Sequence, residues 1–142
     1  MTQEEKELLL KDLCARLSYG VICDRLGKPK KLLGVHPTKK FPLEFDNGEY
    51  MPSNYRLEDI KPYLHPMSSM TEEEKKYISN KCGFSISGPI GGERVLIMPV
   101  LAADWLIDFY NEHHIDYHGL IEKGLALEAP KDMYGKIMSK RL

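Results

Sequence analysis

The segment LAADWLIDFYNEHHIDYHGLIEKGLALEAP, residues 101–130, decides the fold, because it holds the only tryptophan and a long helical apolar pattern. Trp105, Leu106, Phe109 and Tyr110 recur at the spacing of one buried helical face. His113, His114 and His118 follow, with Asp104, Asp108, Glu112 and Asp116 interleaved. The pattern predicts a helix ending around 111–114, with Asp116 capping a shorter helix that runs through Leu125. Gly119 and Gly124 weaken that second helix by about 1 kcal/mol each relative to alanine.

Outward from this segment, helix starts and hairpins alternate irregularly. Thr2 and Glu5 form a capping box, each side chain placed to satisfy the other's orphan amide. Leu9, Leu10, Leu13, Cys14 and Leu17 then share a helical face that closes near Gly20. Residues 21–23 read as a short buried strand. Between 24 and 55, short apolar pieces (32–35, 41–45, 50–51) are separated by glycines, prolines and Asp46-Asn47-Gly48, a strong tight-turn signal. This region predicts a small antiparallel meander. Residues 57–64 suit a helical turn or a strand, limited by Pro62 and Pro66. Thr71 and Glu74 repeat the capping box, and residues 84–87 and 94–100 flank Gly88-Pro89-Ile90-Gly91-Gly92 as a further hairpin. With no βαβ alternation, the chain reads as α+β: a single domain over 1–130, with hairpins packed on three to four helices. Residues 131–142 read as a polar, basic, frayed tail containing Lys136, Lys140 and Arg141.

Bulk properties narrow the function classes. A chain of 142 residues that is 42% hydrophobic suits one domain burying about two-thirds of its unfolded surface. A net charge of −1 and a pI near 6.5 oppose general affinity for nucleic acid or anionic membrane. Cys14, Cys23 and Cys82 are too few and too dispersed for a disulfide framework, which predicts a reducing cytoplasm. The acidic start and the lack of any apolar run near ~20 residues oppose secretion and membrane insertion.

Three constellations merit weighing for chemistry. His114 and His118, four apart, would share a face and with Asp116 offer metal-ligating donors. A hydrolytic zinc helix carries glutamate after its first histidine, however, and Ile115 stands there. The Gly88–Gly92 cluster lacks the Lys-Ser/Thr of a phosphate loop, and Pro89 removes an amide. The cysteines sit in no nucleophile turn, and Cys14 and Cys23 read as small core residues.

Charge is asymmetric. Arg25, Lys28, Lys30, Lys31, Lys39 and Lys40 have no acidic residue among them, whereas 101–130 carries six carboxylates against Lys123 alone. Lysines on exposed hairpins can grip a phosphate backbone, and equally they guard edge strands against aggregation.

Three blocks carry a resemblance: MTQEEKELLLKDLCARLSYGV (1–21), IKPYLHPMSSMTEEEKK (60–76) and DYHGLIEKGLALEAP (116–130). Together they resemble a group of uncharacterised small proteins abundant in gut Bacteroidales bacteria and their mobile elements. The resemblance implies a bacterial cytoplasmic setting linked to phage or mobile elements, and it transfers no activity onto any position.

The leading expectation is a non-catalytic domain that binds another protein, with no cofactor. Tyr110, His114, Tyr117 and His118 would form its contact if exposed. The alternatives are nucleic-acid binding through Lys28, Lys30, Lys31, Lys39 and Lys40, and a metal-dependent enzyme at His114, His118 and Asp116.

Overall fold

A computed structural model describes residues 1–45, 53–82 and 100–134. Helix α1 (Gln3–Arg16) starts as its sequence requires. The Glu5 amide donates to the Thr2 hydroxyl at 3.1 Å, and the Thr2 amide donates to the Glu5 carboxylate at 2.8 Å. A 3₁₀ turn, Leu17–Tyr19, tightens the end, and Gly20 closes it at φ 73°, a left-handed value glycine reaches without a Cβ clash. Leu9, Asp12, Leu13 and Arg16 form the buried stripe. Cys14 is exposed, contrary to its expected place on the apolar face. One step beyond Leu13 turns a helical side chain by about 100°, away from the core.

Strands β1 (Ile22–Arg25), β2 (Lys28–Val35), β3 (Leu43–Phe45) and β4 (Ser53–Tyr55) form the expected antiparallel meander. Phe41 does not join it and is 46% exposed. Between β1 and β2, Leu26 at φ 53° and Gly27 at φ 82° make a turn with both central residues left-handed, matching the strands' twist. Residues 57–64 hold both anticipated elements, a 3₁₀ turn (Leu57–Asp59) and then β5 (Lys61–Leu64), antiparallel to β1. β6 (Leu127–Glu128), which no periodicity announces, adds parallel to β5 and gives the order β4-β3-β2-β1-β5-β6.

Helix α2 (Glu72–Cys82) begins with the second capping box, Thr71 and Glu74 exchanging bonds of 3.0 and 3.1 Å. Helix α3 (Val100–Glu112) buries Leu106, Phe109 and Tyr110, with Trp105 half-buried beside them. It ends in a left-handed cap at His114 (φ 58°): the His114 amide donates to Asn111 O at 3.3 Å and the Ile115 amide to Tyr110 O at 2.9 Å.

The expected helix after Asp116 does not form. Asp116 does receive the Leu120 and Ile121 amides at 2.8 and 2.9 Å, but Gly119 and Gly124 turn left-handed (φ 70° and 74°) and the segment is a series of turns. Chain order also extends past Pro130, since residues 131–134 form a turn anchored by Tyr134.

Two apolar clusters result. One packs Leu9 and Leu13 of α1 on the sheet, with Cys23, Leu32, Phe45 and Leu64. The other joins α2 and α3 through Ile78, Leu106, Phe109 and Tyr110. The turn at Asn47-Gly48, the piece at 50–51, the hairpin around Gly88–Gly92, the Cys82 side chain, and Lys136, Lys140 and Arg141 lie outside the described residues. No helix among the described residues is long and apolar enough to cross a membrane.

Candidate functional site

The polar half of α1's inward stripe organises the junction between the clusters. Arg16, fully buried, donates from Nε to Asp12 Oδ1 at 2.7 Å and from one terminal nitrogen to Asp12 Oδ2 at 3.2 Å. Its remaining donors reach Ile115 O at 2.6 Å and Tyr110 O at 3.5 Å, tying α1 to the end of α3. His118 Nδ1 lies 2.7 Å from Asp12 Oδ2, and an ionised carboxylate only accepts, so the imidazole proton is on Nδ1. Burial pushes the Asp12 carboxyl up, but the His118 hydrogen bond and the Arg16 charge outweigh it and hold the group below the usual carboxylate range.

A carboxylate-oriented imidazole is half of a general-base arrangement. Among the described residues Asp12 is the only hydrogen-bond partner of His118. Its ring neighbour is Tyr117, at 4.2 Å between centroids. The Tyr117 hydroxyl donates to Asn111 Oδ1 at 3.0 Å, and burial raises its pKa. No activated nucleophile accompanies this pair among the described residues.

His114 sits behind it, 1% exposed, with its ring stacked 3.7 Å from that of Tyr134. Its Nδ1 has no hydrogen-bond partner among the described residues. Burial, reinforced by the Arg16, His65 and His113 charges, depresses its pKa to about 3, so the ring is neutral in ordinary buffers. The Tyr134 hydroxyl accepts from the Ile22 amide at 2.8 Å and directs its proton toward the carbonyls of Tyr63 (2.8 Å) and Ile22 (3.1 Å). It thereby bridges β1 and β5 just beyond their last paired residues, Cys23 and Pro62.

These placements revise the contact expected at the helix junction. Tyr110 and His114 are each 1% exposed and belong to the interior, leaving Tyr117 and His118 half-buried at its edge. His114, His118 and Asp116 do not converge on a metal position. His118 is turned to Asp12 and Asp116 to two amides, and among the described residues no group of three or more His, Cys, Asp or Glu side chains could hold a metal ion. The Cys23 thiol is buried and its pKa pushed up, chiefly by desolvation.

The lysines do not form one surface either. Lys28 and Lys30 alternate with Lys31 along β2, so they face opposite sides of the sheet. Lys30 is half-buried, its Nζ 6.0 Å from the Tyr55 ring centroid, where Arg25 also stacks at 4.4 Å. Lys39 and Lys40 lie past the other end of β2, roughly 20 Å from Lys28 at strand rise.

Lys39 and Lys40 instead border an open groove of about 340 Å³ between α1 and the 37–42 loop. Gln3, Lys6, Glu7 and Leu10 line it from one face of α1, the i, i+3, i+4, i+7 stripe opposite in role to the buried one. Leu57, Pro37 and Pro42 complete its apolar lining, with Arg56 and Glu58 beside them. Lys6 pairs with Glu58 at 3.3 Å and Arg56 with Asp59 at 3.5 Å. Neither Lys39 nor Lys40 has an ion-pair partner among the described residues, and the Lys40 ammonium lies 5.9 Å from the exposed Phe41 ring. Sequence reading found the two lysines but not the groove. The only signal was a second stripe on α1, at 3, 6, 7 and 10, that is polar apart from Leu10.

No family model, curated protein or solved structure matches the chain.

Proposed function

We propose that this protein is a non-catalytic domain that binds another protein, working in a bacterial cytoplasm in a phage- or mobile-element-linked setting. The observation that supports it is the groove beside α1, where a mixed lining of apolar and charged residues, two lysines with no ion-pair partner among the described residues and an exposed phenylalanine stand together on the surface. The groups with chemical potential are engaged in structural bonds: His118 with Asp12, Asp116 with backbone amides, His114 against Tyr134. Nucleic-acid binding is the second reading, and the scattering of its lysines over two sheet faces and a distant loop weakens it.

Selection of short displayed peptides, unbiased in charge, on the immobilised full chain separates the two. Saturable binding by selected peptides, with no salt-steep binding of a single-stranded oligonucleotide, supports the protein-binding reading. No selectable peptide, together with oligonucleotide affinity that falls steeply as salt rises, replaces it with the second.

A further inference from the structure

We infer that the groove beside α1 docks an extended, acidic segment of a partner protein, an inference that rests on the protein-binding reading. Charge complementarity sets the sign of the occupant. Lys6, Lys39, Lys40 and Arg56 line the groove against Glu7 and Glu58, and Lys6 and Arg56 are already held by Glu58 and Asp59. The surplus positive charge is therefore concentrated at Lys39 and Lys40, on one wall.

The rest of the lining sets the chemical class. Half-buried Leu10 and exposed Pro37, with Leu57 and Pro42 buried behind them, offer contacts to aliphatic or aromatic side chains, and a sugar-phosphate backbone has no groups to match them. Glu7 and Glu58 would stand against a continuous run of phosphates, whereas a peptide can place a carboxylate at the lysines and an apolar side chain deeper in the groove. Phe41, 46% exposed beside Lys40, extends the apolar surface over the rim. Lys39 and Lys40 lie in a solvated loop and hold no part of the core, so reversing their charge leaves the fold in place.

The peptides selected on the full chain provide the probe. They are expected to be enriched in Asp and Glu interspersed with apolar residues, and to perturb backbone amide resonances of residues 3–10, 37–42 and 56–58. The Lys39→Glu/Lys40→Glu variant should lose about tenfold in affinity, or more, while Lys28→Glu/Lys31→Glu binds as the natural protein does. An unchanged melting transition in both variants confirms that folding is not what is measured. Selected peptides without acidic enrichment, equal binding to the Lys39→Glu/Lys40→Glu variant, or perturbations confined to another face would each overturn the groove assignment while leaving the protein-binding reading intact. Failure to select any peptide would remove the broader reading instead.

Discussion

Arg16 is the residue on which the interior most depends, because one guanidinium neutralises Asp12 and also caps two carbonyls at the end of α3. Arg16→Met leaves the buried Asp12 carboxylate with His118 as its one remaining side-chain partner and two carbonyls without the guanidinium's hydrogen bonds, and should cost about 3–5 kcal/mol in urea unfolding. The double variant Asp12→Leu/Arg16→Met should be more stable than that single variant, since no uncompensated charge remains, and a double-mutant cycle reads the difference. Leu26 offers the opposite case. It is 84% exposed and held at φ 53°, where a branched side chain costs about 1–2 kcal/mol and asparagine far less. Leu26→Asn should therefore raise the urea midpoint, and an unchanged or lower midpoint would refute the strain argument. Asp12 and Arg16 fall outside the apolar stripe read from the sequence, where an i, i+4 acid–base pair looks like any solvated one. The pair's other partners, Ile115, Tyr110 and His118, lie at the far end of the sequence.

At the level of elements, what is encoded locally was legible. Both capping boxes form with the partners their spacing implies, because the bonds close within one turn. Thr71→Ala should destabilise by about 1 kcal/mol, measurable as a lower unfolding midpoint with α2 amides exchanging faster. What depends on distant pairing was hidden: β6 has two residues and no period to read, and Asp116's capping bonds gave the expected signature of a helix that two left-handed glycines prevent. Tyr134 belongs to the same category, its hydroxyl replacing a ladder bond where β1 and β5 part next to Pro62, which has no N–H to give. Tyr134→Phe leaves the Ile22 amide and its carbonyl partners unpaired, and should cost about 1–3 kcal/mol, with the Ile22 amide losing protection from hydrogen exchange.

For the whole molecule, composition and pattern conveyed an α+β chain with an antiparallel meander, but not its division into two clusters clasped around a charged junction. That division arises because α1 meets both the sheet and the end of α3, a long-range arrangement no local period encodes. It also makes stability depend on pH in a definite direction. The buried His114 imidazole resists protonation down to about pH 3, while in the unfolded chain it takes a proton near its ordinary 6.5. Between these values the unfolded state binds more protons. The contribution is therefore complete above 6.5 and is lost at about 1.4 kcal/mol per pH unit as the pH falls toward 3. His65, whose pKa burial also lowers, acts in the same direction. Asp12, held below its ordinary 3.8, adds a further loss only below that value. Urea unfolding at a series of pH values from neutral to mildly acidic should show falling stability. The slope should be clearly smaller in His114→Asn, since asparagine tolerates the left-handed backbone at this position and cannot titrate. Loss of the stack on Tyr134 lowers that variant's stability at every pH without changing its slope, so an undiminished slope would show that the interior histidine does not set the acid limit of the fold.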